Sequence, residues 1–526
     1  MSVIALVLLL FAATAGLRLL ADRADVPLPT LLVLGGLCLA FIPGLPRLTL
    51  DPETIFLIFI PPLLFWAALT TSLRDLMRNL RSITLLAVWL VLATMCVVAV
   101  VTHALLPELP WAVCFMLGAI VSPPDAVAVT ASTRRLSLPR DMLVILEGES
   151  LVNDATALVA YQIALAAVVS GTFSVSHASV ELLVTGAGGI AIGVATGWCV
   201  GWVRLHMARS SVVENTLSLL SPFIAFIPAN ELGCSGVLAV VAMGLYFGRR
   251  GPRVVTAETR LQGTAMWEML TFILEGLIFI FIGLQLPQVI QALDKGELAR
   301  LVAVSLAVVA AMIAIRIALI CPGAYLPRWL DRQLGRATTP YPPWRHLLFG
   351  GWAGIRGGDS LVIALALPYV GLHGVPLPGR NAVIFITFVV IFITLVVQGL
   401  TLAPVIRLLG IVGGKEEEAE ERYARIASIR AGSEALERVV AERAEDVETI
   451  AELRKMTAHR LERLDGSPSP TAPAHLRPRQ AMIAAEREAV VALRDRNEIS
   501  DVVMRRLQQE FDHEEVLLHQ RYRDSK

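Results

Sequence analysis

Long apolar stretches alternate with short polar connections along the first 410 residues. A helix rises roughly 1.5 Å per residue and the hydrocarbon core of a bilayer is roughly 30 Å thick, so about 20 apolar residues make one crossing. We therefore expect residues 1–412 to form an all-α integral membrane domain. The pattern predicts about thirteen transmembrane helices, at residues 3–20, 27–43, 54–71, 83–106, 111–131, 141–170, 180–204, 214–229, 233–249, 266–290, 299–322, 345–369 and 380–409.

The sequence changes character at Lys415, where the apolar stretches end and residues rich in Ala, Leu, Glu and Arg begin. Their spacing is helical except in a Pro-rich segment at residues 467–473. We therefore expect a cytoplasmic tail at residues 413–526, made of two helices joined by a linker. A solvated helical tail and a regulatory or dimer-forming coiled coil both fit this pattern.

Composition and loop charge predict where the protein is located and how it is oriented in the membrane. The chain is 55% hydrophobic and 17% charged, with a net charge of zero, which is too apolar for a soluble protein. Loop arginines concentrate in the odd-numbered connections, and the even-numbered ones carry only Arg47, Lys295, Arg300 and Arg380. The positive-inside rule then predicts an external N-terminus and a cytoplasmic tail. We expect a multi-pass protein of the cell membrane, in contact with the lipid bilayer and not with a nucleic acid.

The fifth predicted span is interrupted by Pro123 and Pro124, which Asp125 follows. Two prolines remove two backbone donors and disfavour helix before them, so we expect this helix to break mid-membrane. Ionisable side chains are costly in an apolar span, and each is therefore a candidate for function. Asp125 either shapes an ion site or caps the second half-helix, and the two roles can coexist.

The sixth predicted span opens with Glu149, Ser150, Asn153 and Asp154, which we expect to share one inward face of the helix. Oxygen ligands suit a hard cation, and the Asp154 carboxylate, the Ser150 hydroxyl and the Asn153 amide can supply them. Asp154 and Ser150 are the predicted ligands of a metal ion, and Asn153 and Asp125 belong to the predicted cation and proton site. Burial disfavours the charged form of a carboxyl group, so a proton and a cation can compete for Asp154. The alternative for Asn153 and Asp154 is a hydrogen-bond network between helices.

The twelfth predicted span contains five glycines between residues 350 and 358, which indicates an unwound or kinked helix. Arg356 lies near its middle and needs a carboxylate partner. Glu149 is the candidate partner, and Asp359 is a local alternative. We assign Arg356 a structural or electrostatic role rather than direct ion binding.

Glu275 lies in the middle of the tenth predicted span, where we expect it to pair with Arg316 of the next helix. Its predicted role is to support the scaffold or to couple helix movements. The two interrupted spans, the fifth and the twelfth, hold corresponding positions in two six-helix halves. This arrangement predicts an inverted-repeat transporter whose broken helices cross mid-membrane, with the seventh span as the link between repeats.

Several short motifs occur in order along the membrane domain. They are PPLLF at residues 61–65, DAVAV at 125–129, GESLVND at 148–154, Glu275 with the Phe-rich run to Gly283, and GIRG at 354–357. Together these motifs resemble the sodium/proton exchanger family of monovalent cation:proton antiporters, in its bacterial form, over roughly residues 5–410. The separation of Asp125 and Asp154 is also the one that the family uses.

The resemblance implies a homodimer in which a six-helix core domain of each thirteen-helix subunit moves against a dimerisation domain. It implies that Asp154 binds the cation or the proton, that Ser150 supplies a hydroxyl ligand, and that Asp125 shapes the site. It also implies an ion pair between Glu149 and Arg356. The transported ions would be sodium, or potassium, and protons, with no cofactor.

Three positions bear on stoichiometry and selectivity. Asn153 stands where electrogenic relatives have a second aspartate, so the resemblance implies electroneutral exchange of one sodium ion for one proton, for pH and sodium homeostasis. Trp66 stands where some members have an acid of the ion site, and Pro124 stands where many have threonine. These departures affect the expected cation selectivity, and Asp359 is a candidate for the missing charge.

Three other functions compete with sodium/proton exchange. A potassium/proton antiporter has the same fold and most of the motifs. An intramembrane aspartyl protease also uses paired acids in apolar spans, but it needs Gly-x-Gly-Asp and Tyr-Asp signatures. Here Arg356 takes the first glycine position before Asp359, and Tyr-Asp does not occur. A channel would move cations without protons, so we expect a transporter and not an enzyme.

Overall fold

The computed structural model describes residues 3–24, 26–42, 52–78, 80–133, 138–170, 175–206, 210–254, 257–291, 295–335, 341–370, 376–411 and 413, and scattered positions between 426 and 496. The chain divides into two compact units, Met1–Gly414 and Lys415–Lys526, and each is described by itself. In the first unit the described residues form helices joined by short connections, with an isolated β-bridge between Val370 and Pro376.

The helices of the first unit are named α1 to α18 in chain order. Their bounds are Val3–Ala24, Leu28–Ala40, Pro52–Thr70, Leu73–Arg78, Leu80–Thr84, Val91–Leu105, Trp111–Val121, Ala126–Thr133, Arg140–Ser170, Val175–His206, Ser211–Glu231, Gly236–Val254, Ala257–Gln291, Lys295–Gln333, Trp344–Trp352, Gly358–Leu365, Arg380–Ile393 and Gly399–Leu409. Two π-helical turns, Leu85–Leu90 and Thr394–Gln398, run directly into α6 and α18.

The described helices have the length and composition of a membrane protein. Eight helical stretches are long and apolar enough to cross a bilayer: α1, α9, α10, α11, α13, α14 and the two stretches that end in α6 and α18. Three further apolar helices, α2, α3 and α7, are shorter. The predicted all-helical membrane fold is confirmed. The number of thirteen spans and the inverted repeats stay predictions.

Two helices are broken at the positions where the sequence predicts interruptions. α7 ends at Val121 and α8 begins at Ala126, so the two prolines lie between them. α15 ends at Trp352 and α16 begins at Gly358, so the break falls within the glycine-rich segment. Proline removes backbone donors and glycine tolerates unwound backbone, which explains why both breaks occur there.

The two breaks lie against each other. The backbone amide of Asp125 donates to the Ile355 carbonyl (2.8 Å), and Nε of Arg356 donates to the Val121 carbonyl (2.7 Å). A Cβ added at Gly357 would overlap the Asp125 carboxylate, so the chain passes closely there. Each break supplies hydrogen-bond partners to the other, as backbone groups in an apolar interior require.

The π-helical turn of the last helix supports the second break. Oγ1 of Thr394 accepts a hydrogen bond from the Arg356 amide (3.1 Å), and Nε2 of Gln398 donates to the Trp352 carbonyl (3.0 Å). Thr394 and Gln398 are both buried. These contacts hold the α17–α18 stretch against the α15–α16 stretch.

Helices α2 and α13 cross with their backbones in direct contact. A Cβ added at Gly36 would overlap the Ile280 carbonyl, and one added at Gly283 would overlap the Val33 carbonyl. Small residues permit this close packing between membrane helices, where van der Waals contact replaces the hydrophobic effect as the source of stability.

The second unit is described only at scattered positions. Residues 429–434 are helical, and Arg454 forms an ion pair with Glu437 (2.7 Å). The predicted Pro-rich linker at residues 467–473 and most of the two predicted tail helices lie outside the described residues.

The contact between α2 and α13 generates a stability prediction. Gly36→Ala should destabilise the protein by about 1–3 kcal/mol, because the added methyl group meets backbone that cannot move aside. The measurement is the thermal unfolding midpoint of the purified protein in detergent. Gly16→Ala in α1 is the matched control, since no atom lies within 4 Å of its added Cβ. Equal midpoints for the two variants would contradict the predicted close packing.

Candidate functional site

An acidic cavity of about 420 Å³ lies between α3, α8, α9, α13 and α16. The described residues that line it include no Lys, Arg or His. Its acidic side chains come from four different helices or helix ends: Asp125, Glu147, Asp154, Glu275 and Asp359. This cavity is defined by negative charge and is therefore suited to a cation.

Helix geometry positions the carboxyl groups of the acidic cavity. Asp125 immediately precedes α8, and Asp359 lies in the first turn of α16. The N-terminus of a helix carries a partial positive charge, which favours a carboxylate at both positions. Asp154 lies one turn after Ser150 on α9, and Glu275 lies in the middle of α13. The break of α7–α8 and the break of α15–α16 thus each bring one aspartate to the same cavity.

The polar residues of α9 divide between two faces. Ser150 and Asp154 line the acidic cavity, whereas Glu149 and Asn153 are buried and do not line it. The prediction that all four share one inward face is wrong, because adjacent residues of a helix point about 100° apart. Ser150 and Asp154 are four residues apart and do share a face.

Asn153 contacts the first break instead of the cavity. Its Nδ2 donates to the Pro124 carbonyl (3.3 Å), and its Oδ1 is buried with no hydrogen-bond partner among the described residues. Ser150 also contacts this break, because its Oγ accepts a hydrogen bond from the Ala126 amide (3.3 Å). The Asn153 amide thus makes one hydrogen bond to the first break, and its role as a cation ligand stays a prediction.

Glu149 and Arg316 form a buried ion pair. The guanidinium NH1 and NH2 groups of Arg316 donate to the two carboxylate oxygens of Glu149 (2.6 and 3.1 Å), and both side chains are 3% exposed. Nε of Arg316 donates to the Gly350 carbonyl (3.0 Å). One arginine thereby connects α14, α9 and α15.

The predicted ion pairs Glu149–Arg356 and Glu275–Arg316 are wrong. Arg356 is buried, but its side chain donates to two backbone carbonyls, those of Val121 (2.7 Å) and Gly354 (2.7 Å). Breaks in two helices free carbonyl groups, and these take the place of the expected carboxylate. Glu275, which the prediction assigned to Arg316, lines the acidic cavity.

The two departures from the family pattern have clear positions. Trp66 lines the acidic cavity, and its ring stacks on that of Trp267 with centroids 5.9 Å apart and an interplanar angle of 10°. Trp267 is buried and donates from Nε1 to Oγ of Ser218 (3.0 Å). Pro124 supplies the carbonyl that Asn153 binds. Trp66 and Trp267 thus form an aromatic wall beside the acidic cavity.

Sequence reasoning missed Glu147. This residue is exposed and lines the acidic cavity together with Ser150 and Asp154. The spacing of residues 147, 150 and 154 is i, i+3 and i+7, which is the signal of one helical face and was available in the sequence. The hydroxyl-bearing residues Thr70, Thr71 and Thr271 also line the cavity, and nothing in their sequence context distinguishes them.

Comparison with known proteins gives a family and a fold. The profile of the family described as sodium/hydrogen exchanger, transmembrane, matches residues 7–408. An uncharacterized sodium/proton exchanger of Mycobacterium tuberculosis is 36% identical over 527 residues, which cover 98% of this chain and 96% of that protein. A sodium, potassium, lithium and rubidium/proton antiporter of Bacillus subtilis is 32% identical over 388 residues, which cover 72% of this chain and 57% of that protein.

A solved structure has the same fold at low sequence identity. The sodium/proton antiporter NhaP1 of Methanocaldococcus jannaschii, determined at pH 8, aligns with a TM-score of 0.59 and 18% identity. The alignment covers 77% of this chain and 98% of that one. The profile match and the full-length similarity to the mycobacterial protein agree with the motifs found in the sequence. This multi-pass membrane protein belongs to the sodium/hydrogen exchanger family.

Proposed function

We propose that this protein exchanges sodium ions for protons across the membrane, with Asp154 as the group that binds either ion. The observation that carries the proposal is the acidic cavity, which reaches Asp154 beside the crossing of two broken helices and contains no basic side chain among its described lining residues. Members of the family transport monovalent cations and protons, and the names of the relatives support sodium as one of the ions.

Competition for one carboxyl group accounts for exchange. When Asp154 is ionised, its carboxylate and the Ser150 hydroxyl replace part of the water shell of a sodium ion, as hard oxygen ligands do. When Asp154 is protonated, the same site holds no sodium ion. A site that must hold one ion or the other on each crossing couples the two movements, and alternating access then exchanges them.

The remaining acids support Asp154 without replacing it. Asp125 and Asp359 lie at helix N-termini on the same cavity, where their charge attracts a cation while the helix dipoles offset their mutual repulsion. Asp359 is the proposed substitute for the charge that Trp66 removes. Because α9 contributes a single aspartate to the cavity, with Asn153 beside it, we propose electroneutral exchange of one sodium ion for one proton.

The proposal also covers the orientation of the protein in the membrane, its oligomeric state and its cellular location. The acidic cavity extends from Asp154 to Thr71 and the exposed Glu147. These two residues lie next to connections that carry Arg74 and Arg140, on the side that the loop charges predict to be cytoplasmic. We propose a homodimer in the plasma membrane, with an external N-terminus and a cavity open to the cytoplasm in this conformation.

Potassium is the second candidate for the transported cation. The Bacillus subtilis relative is named as an antiporter of sodium, potassium, lithium and rubidium. Carboxylate and hydroxyl ligands accept all of these ions. The transport experiment therefore tests both cations.

Asp154→Asn should abolish cation-driven proton movement in proteoliposomes, because the amide cannot exchange a proton for a cation. A pH-sensitive dye inside the vesicles reports the flux after addition of sodium and then of potassium. Glu108→Gln is the matched control, since Glu108 is 54% exposed and pairs with Arg300 outside the cavity (2.7 Å). Flux that survives in Asp154→Asn would refute its role. A response to potassium at least as large as that to sodium would make potassium the principal cation.

Asp359→Asn should keep exchange but raise the sodium concentration for half-maximal flux about fivefold. The loss of one nearby charge weakens cation attraction by about 1 kcal/mol at a hydrated site. The same proteoliposome assay, repeated over a range of sodium concentrations, gives this value and the maximal rate separately. Wild-type cation affinity in Asp359→Asn would remove Asp359 from the ion site.

Glu149→Gln should lower the free energy of unfolding by about 3–5 kcal/mol, because it leaves the buried charge of Arg316 without a partner. Adding Arg316→Gln to this variant should restore part of the lost stability. Adding Arg356→Gln should not, because Arg356 binds backbone carbonyls. Thermal unfolding midpoints of the single and double variants measure these effects. Rescue by Arg356→Gln and not by Arg316→Gln would favour the ion pair predicted from sequence.

A further inference from the structure

A second cavity, of about 350 Å³, lies between α3, α10, α11, α12 and α13. Much of its wall is aromatic, including the rings of Trp66, Trp198, Trp202 and Trp267. We call it the aromatic cavity. Trp66 and Thr70 line both this cavity and the acidic cavity, so the stacked rings of Trp66 and Trp267 form part of the wall beside the ion site.

The aromatic cavity is positively charged. Arg204, Arg250 and Arg260 line it, and the described lining residues include no Asp or Glu. Arg204 is already compensated in part, because its guanidinium lies 3.9 Å from the carboxylate of Glu214. Arg250 and Arg260 are exposed. Two neighbouring cavities therefore have opposite charge, and the second is suited to an anion.

The aromatic cavity also has the surroundings of a membrane interface. Trp198 is 57% exposed and Trp202 is 46% exposed, and both lie on the apolar helix α10. Tryptophan rings concentrate at the level of the lipid headgroups. Arg204 lies in the last turn of α10, Arg250 follows the apolar part of α12, and Arg260 lies in the first turn of α13. All three are at the end that the loop charges predict to be cytoplasmic. Basic residues at that level attract anionic lipid headgroups.

We propose that the aromatic cavity binds one anionic phospholipid of the surrounding bilayer. Its phosphate lies between Arg250 and Arg260, and an acyl chain follows the exposed rings of Trp198 and Trp202. A free phosphate ion would satisfy the arginines but leave the aromatic wall without a partner. A lipid without net charge would cover the aromatic wall but leave the positive charge unbalanced. Only a ligand with both an anionic head and an apolar chain matches the whole lining.

The experiment is native mass spectrometry of the full-length protein in detergent, titrated with phosphatidylglycerol or with phosphatidylcholine. Wild-type protein should bind one phosphatidylglycerol more tightly than phosphatidylcholine. The double variant Arg250→Gln/Arg260→Gln should bind that lipid on the order of tenfold more weakly, because each interfacial arginine contributes severalfold to the affinity. Arg249→Gln should bind it as wild type does, since Arg249 is exposed on the same helix but does not line the cavity.

Competition with inorganic phosphate at millimolar concentration distinguishes a lipid headgroup from a free phosphate ion as the bound anion. It should not displace phosphatidylglycerol from the wild-type protein. Displacement would indicate a site for a soluble anion and would overturn the lipid assignment. Equal affinity for phosphatidylglycerol and phosphatidylcholine would overturn it as well, and so would unchanged phosphatidylglycerol binding by the double variant. Both substituted arginines are exposed, so the variants should elute as the wild type does in size exclusion. Lipid binding is measured without transport, so its outcome is independent of the role of Asp154.

Discussion

The crossing of two broken helices is the constraint on which the rest of the membrane unit depends. Unpaired backbone groups in an apolar interior cost several kcal/mol each, so a helix can break there only where something else supplies donors and acceptors. In this protein each break supplies them to the other, through the Asp125 amide and the Arg356 side chain. The arrangement stabilises both interruptions at once, and neither would be tolerated alone.

The positions of two of the cavity carboxylates follow from this backbone geometry. The start of a half-helix mid-membrane provides an uncommon position where a carboxylate is electrostatically favoured, and each of the two breaks has an aspartate there. The ion pair between Glu149 and Arg316 is buried, does not line the cavity, and joins α9 to α14. Glu149, behind the cavity acids, therefore has a structural partner.

Sequence alone predicted the all-helical membrane fold and the positions of both breaks, because proline, glycine and apolar length act locally. It did not predict which side chains meet across the structure. An arginine in an apolar span is expected to pair with a carboxylate such as Glu149, but carbonyls at the breaks bind Arg356 instead. The spacing i, i+1, i+4 and i+5 favours one face for the polar run of α9, but only Ser150 and Asp154 of that run line the cavity. A stricter use of helical spacing would have separated Asn153 from Asp154 and added Glu147.

The π-helical turn at Thr394–Gln398 has a consequence for the length of the last helix. Such a turn holds one more residue than a regular turn, so the side chains of α18 are rotated by about 100° from the positions of an uninterrupted helix. Thr394 and Gln398, at the two ends of this turn, both contact the second break. Loss of any one residue from this segment would leave its composition almost unchanged but would misalign every side chain of α18. Gene variants that alter chain length should therefore accumulate in the polar connections and be excluded from this turn.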